Sequence, residues 1–296
     1  MATTQTLLDP KFLKKLEALT LVSKRVFAGQ TKGEKRSRKR GSSIEFADFR
    51  EYTLGDDLRY VDWKAYGRLD KLFLKLFVEE EDLSIHLLLD TSKSMDFGSP
   101  VTKADYARRV AAAIGYIALS EYDRLTVAPF HSGLGELMPP LRGKPGIFPF
   151  FQFLEHKTVV GGGTRFGDAL AQYAARAKNV GIAIVLSDFF DDTHVKGLKA
   201  LLARRFQVVL IHVLDVEELH PTLTGDLRIV DSETGQAREV SISPFLLGQY
   251  QAQLTTFCDG LKALSTRYNM DYVRTSTDVP FEDVILKYLR SGGLLR

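Results

Sequence analysis

From residue 83 onward, short apolar runs alternate with longer amphipathic stretches. The apolar runs are residues 83–89, 125–130, 182–186, 208–214 and, more weakly, 270–274. Between and after them, residues 103–120, 166–177, 194–203, 244–268 and 280–289 have helical periodicity. Buried strands that alternate with helices are typical of a mostly parallel sheet covered by helices on both faces. The pattern therefore predicts an open α/β fold, with an inserted β-hairpin at residues 224–243.

The chain before residue 83 has two different compositions. Residues 1–40 contain 11 Lys/Arg and 3 Asp/Glu, whereas the net charge of the whole chain is only +3. They are predicted to form a basic helical or flexible arm. Residues 41–82 combine charged and aromatic side chains with alternating apolar positions, which predicts a small β-containing block that packs on the main domain. The main domain is predicted to span residues 83–296.

The composition excludes several classes of protein. Hydrophobic residues make up 45% of the 296 positions, enough for a core and too many for a disordered chain. No apolar run approaches the roughly 18 residues of a membrane span, so we expect a soluble protein. The single cysteine, Cys258, excludes an internal disulfide and favours the cytoplasm.

Polar side chains follow two of the predicted strands at the points where the strands end. Asp90, Ser92 and Ser94 follow the first strand, Asp188 follows the third, and Thr164 follows a run of glycines. Ligands of open parallel sheets bind beyond the carboxyl ends of the strands, so we expect these oxygens to converge. Hard oxygen donors suit Mg²⁺, with Mn²⁺ as the alternative ion.

The order of these five residues resembles the metal-ion-dependent adhesion site of von Willebrand factor type A domains. Asp90, Ser92, Ser94, Thr164 and Asp188 match its five motif positions in turn. The resemblance implies a von Willebrand A-like fold and a protein-binding function. It also implies that the hydroxyls bind the ion, that the aspartates hold it largely through water, and that a partner carboxylate completes the coordination shell.

A second resemblance covers about residues 38 to 290 and is most specific between residues 43 and 95. The motifs that carry it are Glu45-Phe46, Arg50-x-Tyr52, Gly55-Asp56-Asp57-x-Arg59, Asp62-Trp63 and Asp90-x-Ser92-x-Ser94-Met95. Together they resemble the bacterial domain-of-unknown-function 58 (DUF58) family. The resemblance implies a non-enzymatic adaptor that acts with a MoxR-type AAA+ ATPase on an unidentified client, in chaperone-like remodelling or cofactor insertion.

Two other functions use the same residues or the basic arm. A Mg²⁺-dependent hydrolase could use Asp90 or Asp188. A phosphatase of the haloacid-dehalogenase type, however, needs a second carboxylate two residues after its nucleophilic aspartate, and the chain has Ser92 there. The glycine run before Thr164 lacks the lysine of a P-loop, which argues against nucleotide hydrolysis. Residues 32–40 could tether a nucleic acid, although no aromatic side chains interleave the basic ones.

The residues after the third strand are candidates for contacts with a partner. Phe189, Phe190 and Asp191 directly follow the predicted ligand Asp188. Aromatic residues are enriched at binding hot spots, so we expect these side chains to be exposed at a partner interface beside the metal site, with packing back onto the next helix as the alternative.

Overall fold

The computed structural model describes part of the chain and contains two compact units. The described residues are 8–17, 19, 21, 45–53, 56, 58, 61–78, 83–156, 159, 165–223, 225–230, 236–289 and 294. One unit comprises the described parts of 1–26 and 83–296, and the other those of 27–82. Thr164, the glycines before it and the basic run 32–40 lie outside the described residues. The boundaries predicted at residues 40 and 82 stay predictions.

The larger unit is built on a six-stranded sheet. Its strands are β3 (Ser84–Asp90), β4 (Arg124–Phe130), β5 (Leu141–Arg142), β6 (Ile182–Ser187), β7 (Gln207–Leu214) and β10 (Asp271–Ser276). The strand order is β10-β7-β6-β3-β4-β5, and only the short β5 is antiparallel to its neighbour. The predicted mostly parallel α/β sheet is therefore confirmed, and β3 lies between β6 and β4 with Ile85 beside both Ile182 and Leu125.

Helices follow most of these strands. They are α3 (Lys103–Ser120), α4 (Ile147–Glu155), α5 (Phe166–Arg176), α6 (His194–Ala203), α7 (Val216–Leu219), α8 (Pro244–Arg267) and α9 (Phe281–Asp283), which continues into a π-helical segment at Val284–Leu289. The predicted helices at 103–120 and 194–203 are confirmed at both ends. The sequence pattern missed α4, because Pro149 and its nearly continuous apolar residues obscure a helical period.

The two faces of the sheet are covered by different helices. On one face, Leu88, Val185 and Leu210 join residues of α5, α6 and α8 in one apolar cluster. Helix α3 contacts β3, β4, β6 and β7 but contributes no residue to that cluster, so it covers the opposite face. Helices therefore flank the sheet on both sides, as the sequence predicted.

The N-terminal helix α1 (Pro10–Leu16) belongs to the larger unit. Phe12 packs edge-to-face against Phe281 with 5.4 Å between ring centroids. Just after the helix, Glu17 accepts a 3.0 Å hydrogen bond from the Tyr116 hydroxyl on α3. Apolar and polar contacts together hold the described start of the chain on α3 and α9.

Two antiparallel hairpins lie outside the central sheet. In the larger unit, β8 (Gly225–Val230) pairs with β9 (Ala237–Ile242), which confirms the predicted hairpin. In the smaller unit, β1 (Glu45–Glu51) pairs with β2 (Phe73–Val78), and the intervening α2 (Trp63–Leu69) is capped by the Asp62 carboxylate. Among the described residues, no helix combines the length and the apolar character of a membrane span.

Candidate metal site at the carboxyl edge of the sheet

The ends of two adjacent parallel strands bring the first candidate ligands together. Asp90 is the last residue of β3, and Asp188 follows Ser187, the last residue of β6. The Asp90 carboxylate is only 2% exposed and accepts hydrogen bonds from the Ser187 hydroxyl at 2.6 Å and from the Ser92 backbone N–H at 2.9 Å. These two donors fix the carboxylate at the edge of the sheet.

The two serine hydroxyls are positioned by a short turn after β3. A 3₁₀ turn covers Lys93–Asp96, and Ser92 precedes it with an extended backbone and makes no side-chain capping hydrogen bond. This geometry places the Ser92 and Ser94 hydroxyl oxygens 3.1 Å apart. The structure therefore brings together four of the five predicted ligands, and the fifth, Thr164, lies outside the described residues.

The electrostatics of the edge indicate a buried excess of negative charge. Burial, and then the neighbouring charge of Asp188, raise the pKa of Asp90 to about 7. Hydrogen bonds from Ser187 and Ser92 lower the pKa only in part. The buried carboxyl group of Asp90 therefore keeps its proton more readily than an ordinary aspartic acid.

The site also contains a buried ammonium group that the sequence analysis did not identify. Lys103, the first residue of α3, is 1% exposed, and its Nζ lies 2.8 Å from an Asp188 oxygen and 2.6 Å from a Glu218 oxygen. Burial alone lowers the pKa of Lys103, but the two carboxylates outweigh burial and raise it. A lysine at a helix N-terminus opposes the helix dipole, and this unfavourable placement was the available sequence signal.

A capping box at the start of α7 holds the Glu218 side chain in place. Its second oxygen accepts a 2.8 Å hydrogen bond from the Asp215 backbone N–H, while Asp215 accepts from the backbone N–H of Glu217. Burial raises the pKa of Glu218, and the nearby Lys103 opposes that rise. Buried Asp215 also accepts a 2.5 Å hydrogen bond from the Thr277 hydroxyl. The ends of β7 and β10 thus extend the polar edge formed by β3 and β6.

The expected exposure of the residues after Asp188 is wrong for Phe189. Its side chain is fully buried, with its ring centroid 5.6 Å from that of Phe166. Its backbone has a φ of 59°, uncommon for a bulky residue, and its N–H donates a 2.9 Å hydrogen bond to the Ser187 hydroxyl. That turn directs the aromatic side chain into the core, where it cannot contact a partner.

Phe190 and Asp191 lie in different surroundings. Phe190 is 45% exposed, and its ring centroid is 5.4 Å from the Lys103 ammonium and 5.2 Å from the Phe257 ring. The Asp191 carboxylate accepts a 2.7 Å hydrogen bond from the Thr193 backbone N–H and orders the turn before α6. Of the three predicted contact residues, Phe190 is the one with an exposed aromatic ring.

The donors at this edge fit a hard divalent cation. Among the described residues, no group of three or more His, Cys, Asp or Glu side chains is arranged to hold a metal. The candidate donors are instead two carboxylates, Asp90 and Asp188, and two hydroxyls, Ser92 and Ser94. Oxygen donors of low total charge are what Mg²⁺ accepts, because it retains several waters.

The fold and this edge define an α/β protein with a polar site at the carboxyl ends of parallel strands. Residues 48–256, more than half of the chain, match the family described as "Protein of unknown function DUF58". The chain belongs to this family. The resemblance inferred from the motifs is therefore confirmed, over a somewhat shorter range than the sequence analysis assigned.

The chain is also similar in sequence to mycobacterial proteins and in fold to solved bacterial structures. Uncharacterized proteins of Mycobacterium tuberculosis (Rv1480) and Mycobacterium bovis (Mb1516) are each 29% identical over 242 residues, covering 80% of this chain and 76% of theirs. The solved structure of BatB from Bacteroides thetaiotaomicron is 18% identical, with a TM-score of 0.43. An aerotolerance-related membrane protein from Bacteroides fragilis is 16% identical, with a TM-score of 0.43. Each alignment covers 71% of this chain and 98% of the other.

Proposed function

We propose that this protein is a metal-dependent protein-binding adaptor rather than an enzyme. Its site is a von Willebrand A-like metal-ion-dependent adhesion site for Mg²⁺, with Mn²⁺ as the alternative ion. The ligands are Asp90, Ser92, Ser94, Thr164 and Asp188. The observation that carries the proposal is the pair of buried carboxylates at the ends of β3 and β6, beside two hydroxyls 3.1 Å apart.

The charge balance of the edge supports a bound cation. Two carboxylates, those of Asp188 and Glu218, pair with the buried ammonium of Lys103, whereas a third, that of buried Asp90, accepts hydrogen bonds from Ser187 and Ser92. Buried charge without a partner is costly, so the cluster is short of positive charge when all three carboxylates are ionised. A divalent cation beside Asp90 supplies that charge. Burial and the neighbouring charge of Asp188 raise the pKa of Asp90 to about 7, and a cation beside this carboxylate would offset both effects.

Each residue has a defined part in this proposal. The hydroxyls of Ser92 and Ser94 would contact the ion, and the Ser187 hydroxyl and the Ser92 N–H hold the Asp90 carboxylate in place at the same edge. The bound ion supplies an open coordination position to a carboxylate of the partner protein. Phe190, half exposed beside Asp188, contributes an apolar contact at the rim of that position.

The proposed partner is a MoxR-type AAA+ ATPase, together with a protein client. This part of the proposal comes from the family resemblance, which also implies that ATP-driven remodelling is the work of the partner. We place the pair in the cytoplasm, in keeping with a chain whose single cysteine, Cys258, is buried and free.

Calorimetric titration of Mg²⁺ and Mn²⁺ into the full chain tests the metal site. Asp188→Asn and Asp90→Asn should each weaken binding by about 100-fold or more, because each removes a negative charge beside the ion. Asp168→Asn, a change on α5 at a carboxylate paired with Lys196, is the matched control and should bind like the wild type. Unchanged affinity in a folded Asp188→Asn protein would refute the site.

The partner surface is tested with the purified, nucleotide-free ATPase from the same organism. Binding to the immobilised chain should require Mg²⁺, should be lost in chelator, and should weaken about ten-fold in Phe190→Ala. Phe148→Ala, which removes an exposed ring on α4, is the matched control. Binding that is indifferent to both metal and Phe190 would contradict an interface at this edge.

A further inference from the structure

The Lys103 ammonium occupies a position that the proposed metal site leaves unexplained. It contacts Asp188, a proposed ligand of the ion, and Glu218, which is not one. We propose that Lys103 is a built-in competitor of the metal, a positioning residue that holds Asp188 in the metal-free protein and weakens divalent-cation binding. The inference rests on the proposed function, because it concerns the regulation of the same site.

The Lys103 ammonium is held in a buried position by the start of α3 and by two aromatic rings. Lys103 begins α3, its backbone N–H donates a 2.9 Å hydrogen bond to the Phe97 carbonyl, and Thr102 caps the helix. The rings of Phe97 and Phe190 lie 5.9 and 5.4 Å from Nζ. A charge held in so dry a position is poorly screened, so its repulsion of a nearby cation is strong.

Glu218 gives the ammonium a second carboxylate when Asp188 turns toward a cation. The Glu218 oxygen lies 2.6 Å from Nζ, closer than the Asp188 oxygen at 2.8 Å. Its other oxygen is held by the Asp215 backbone N–H, so Glu218 is in place before any exchange occurs. If Asp188 turned to a cation, Lys103 would keep Glu218 as its partner, and no buried ammonium would be left unpaired.

Substitutions of Lys103 and of Glu218 should change Mg²⁺ affinity in opposite directions. Lys103→Met removes the competing charge, so Mg²⁺ should bind on the order of ten-fold more tightly. Glu218→Gln leaves the ammonium with Asp188 as its only carboxylate, so Mg²⁺ should bind on the order of ten-fold more weakly. A residue with only a structural role would weaken binding whenever it was changed, and would not produce a gain.

The experiment combines Mg²⁺ titration with thermal unfolding in chelator and in saturating Mg²⁺, all on the full chain. Lys103→Met should lower the Tm in chelator, because it leaves Asp188 and Glu218 without their cation, and Mg²⁺ should restore much of the loss. Lys196→Met, which breaks an exposed ion pair with Asp168, is the matched control for removal of a lysine. If Lys103→Met does not fold, Glu218→Gln still tests the predicted direction.

The outcomes separate this inference from the proposed function. If the wild type binds Mg²⁺ and Lys103→Met binds it equally or more weakly, the competitor role is overturned while the metal site stands. If Lys103→Met binds Mg²⁺ and the wild type does not, the competitor role is supported, while the proposed metal-dependent function of the wild-type chain is contradicted. If no form of the chain binds Mg²⁺ or Mn²⁺, both proposals fail.

Discussion

The pKa of a buried basic group is lowered in the middle of the central sheet and raised at its carboxyl edge. In the middle of β3, His86 is joined to the Tyr173 hydroxyl at 2.6 Å, and burial, then the charge of Arg124, lower its pKa to about 4. At the edge, equally buried Lys103 keeps its proton because Asp188 and Glu218 raise its pKa. Burial without an opposite charge favours the neutral form, whereas burial with two carboxylates preserves the ion.

The same contrast occurs along a single strand. His212 on β7 is fully buried, and its pKa falls to about 3, mainly through burial, although Asp188 acts in the other direction. Only three residues later, Asp215 is placed between backbone and side-chain donors at the edge. On β7, the buried histidine within the strand favours its neutral form, while the network of polar donors and acceptors lies beyond the strand end, where ligands of open α/β sheets bind.

The largest effect is expected from disturbing the packed part of the sheet. A Cβ at Gly181, just before β6, would lie 1.8 Å from the Ser84 carbonyl oxygen at the start of β3. Gly181→Ala should therefore lower the free energy of unfolding by about 3 kcal/mol, because backbone must move. Chemical denaturation measures the loss. Gly133→Ala, where nothing lies within 4 Å, should change stability by less than about 0.5 kcal/mol, and an equal loss there would contradict the steric explanation.

The pH dependence of the free energy of unfolding tests whether buried His86 is neutral in the folded protein. The unfolded chain takes up a proton at His86 near pH 6.5, whereas the folded protein resists until about pH 4. Lowering the pH through that window therefore favours unfolding, and raising it restores stability. His86→Gln should reduce the loss between pH 7 and pH 5 by about 2 kcal/mol.

Denaturant unfolding of metal-free protein at several pH values provides that comparison. His156→Gln, a change at the exposed end of α4, is the matched control. If His86→Gln loses as much stability in acid as the wild type, His86 is not the group whose protonation drives acid unfolding, and the contrast with Lys103 weakens.

The smallest effect is expected from a single hydroxyl at the edge. Ser94→Ala removes one proposed ligand but no charge, so Mg²⁺ affinity should fall about five-fold, equivalent to about 1 kcal/mol. Stability in chelator should change little, because Ser94 is only half-buried. Ser132→Ala, an exposed serine in the loop after β4, should leave Mg²⁺ affinity unchanged. Equal affinity for Ser94→Ala and the wild type would remove Ser94 from the ligand set.

Much of the fold could be predicted because its signals are local. The apolar run at 182–186 and the helical period at 103–120 each lie within one element, and β6 and α3 follow them closely. The grouping of Asp90 with Asp188 followed from one general rule, that parallel strands end at a common edge. Phe189 was mispredicted because a left-handed turn reverses its direction, and the sequence carries no glycine or asparagine there to indicate one.

The sequence by itself determined the α/β class, the family and four candidate ligands that the fold brings to one edge. Hydrophobic periodicity and strand order are enough for those, since they depend on neighbours along the chain. Only the tertiary structure decided that Lys103 pairs with Asp188 and with Glu218, which lies 115 residues away. The charge of a buried group depends on which distant side chains surround it, and only the packed chain brings those side chains together.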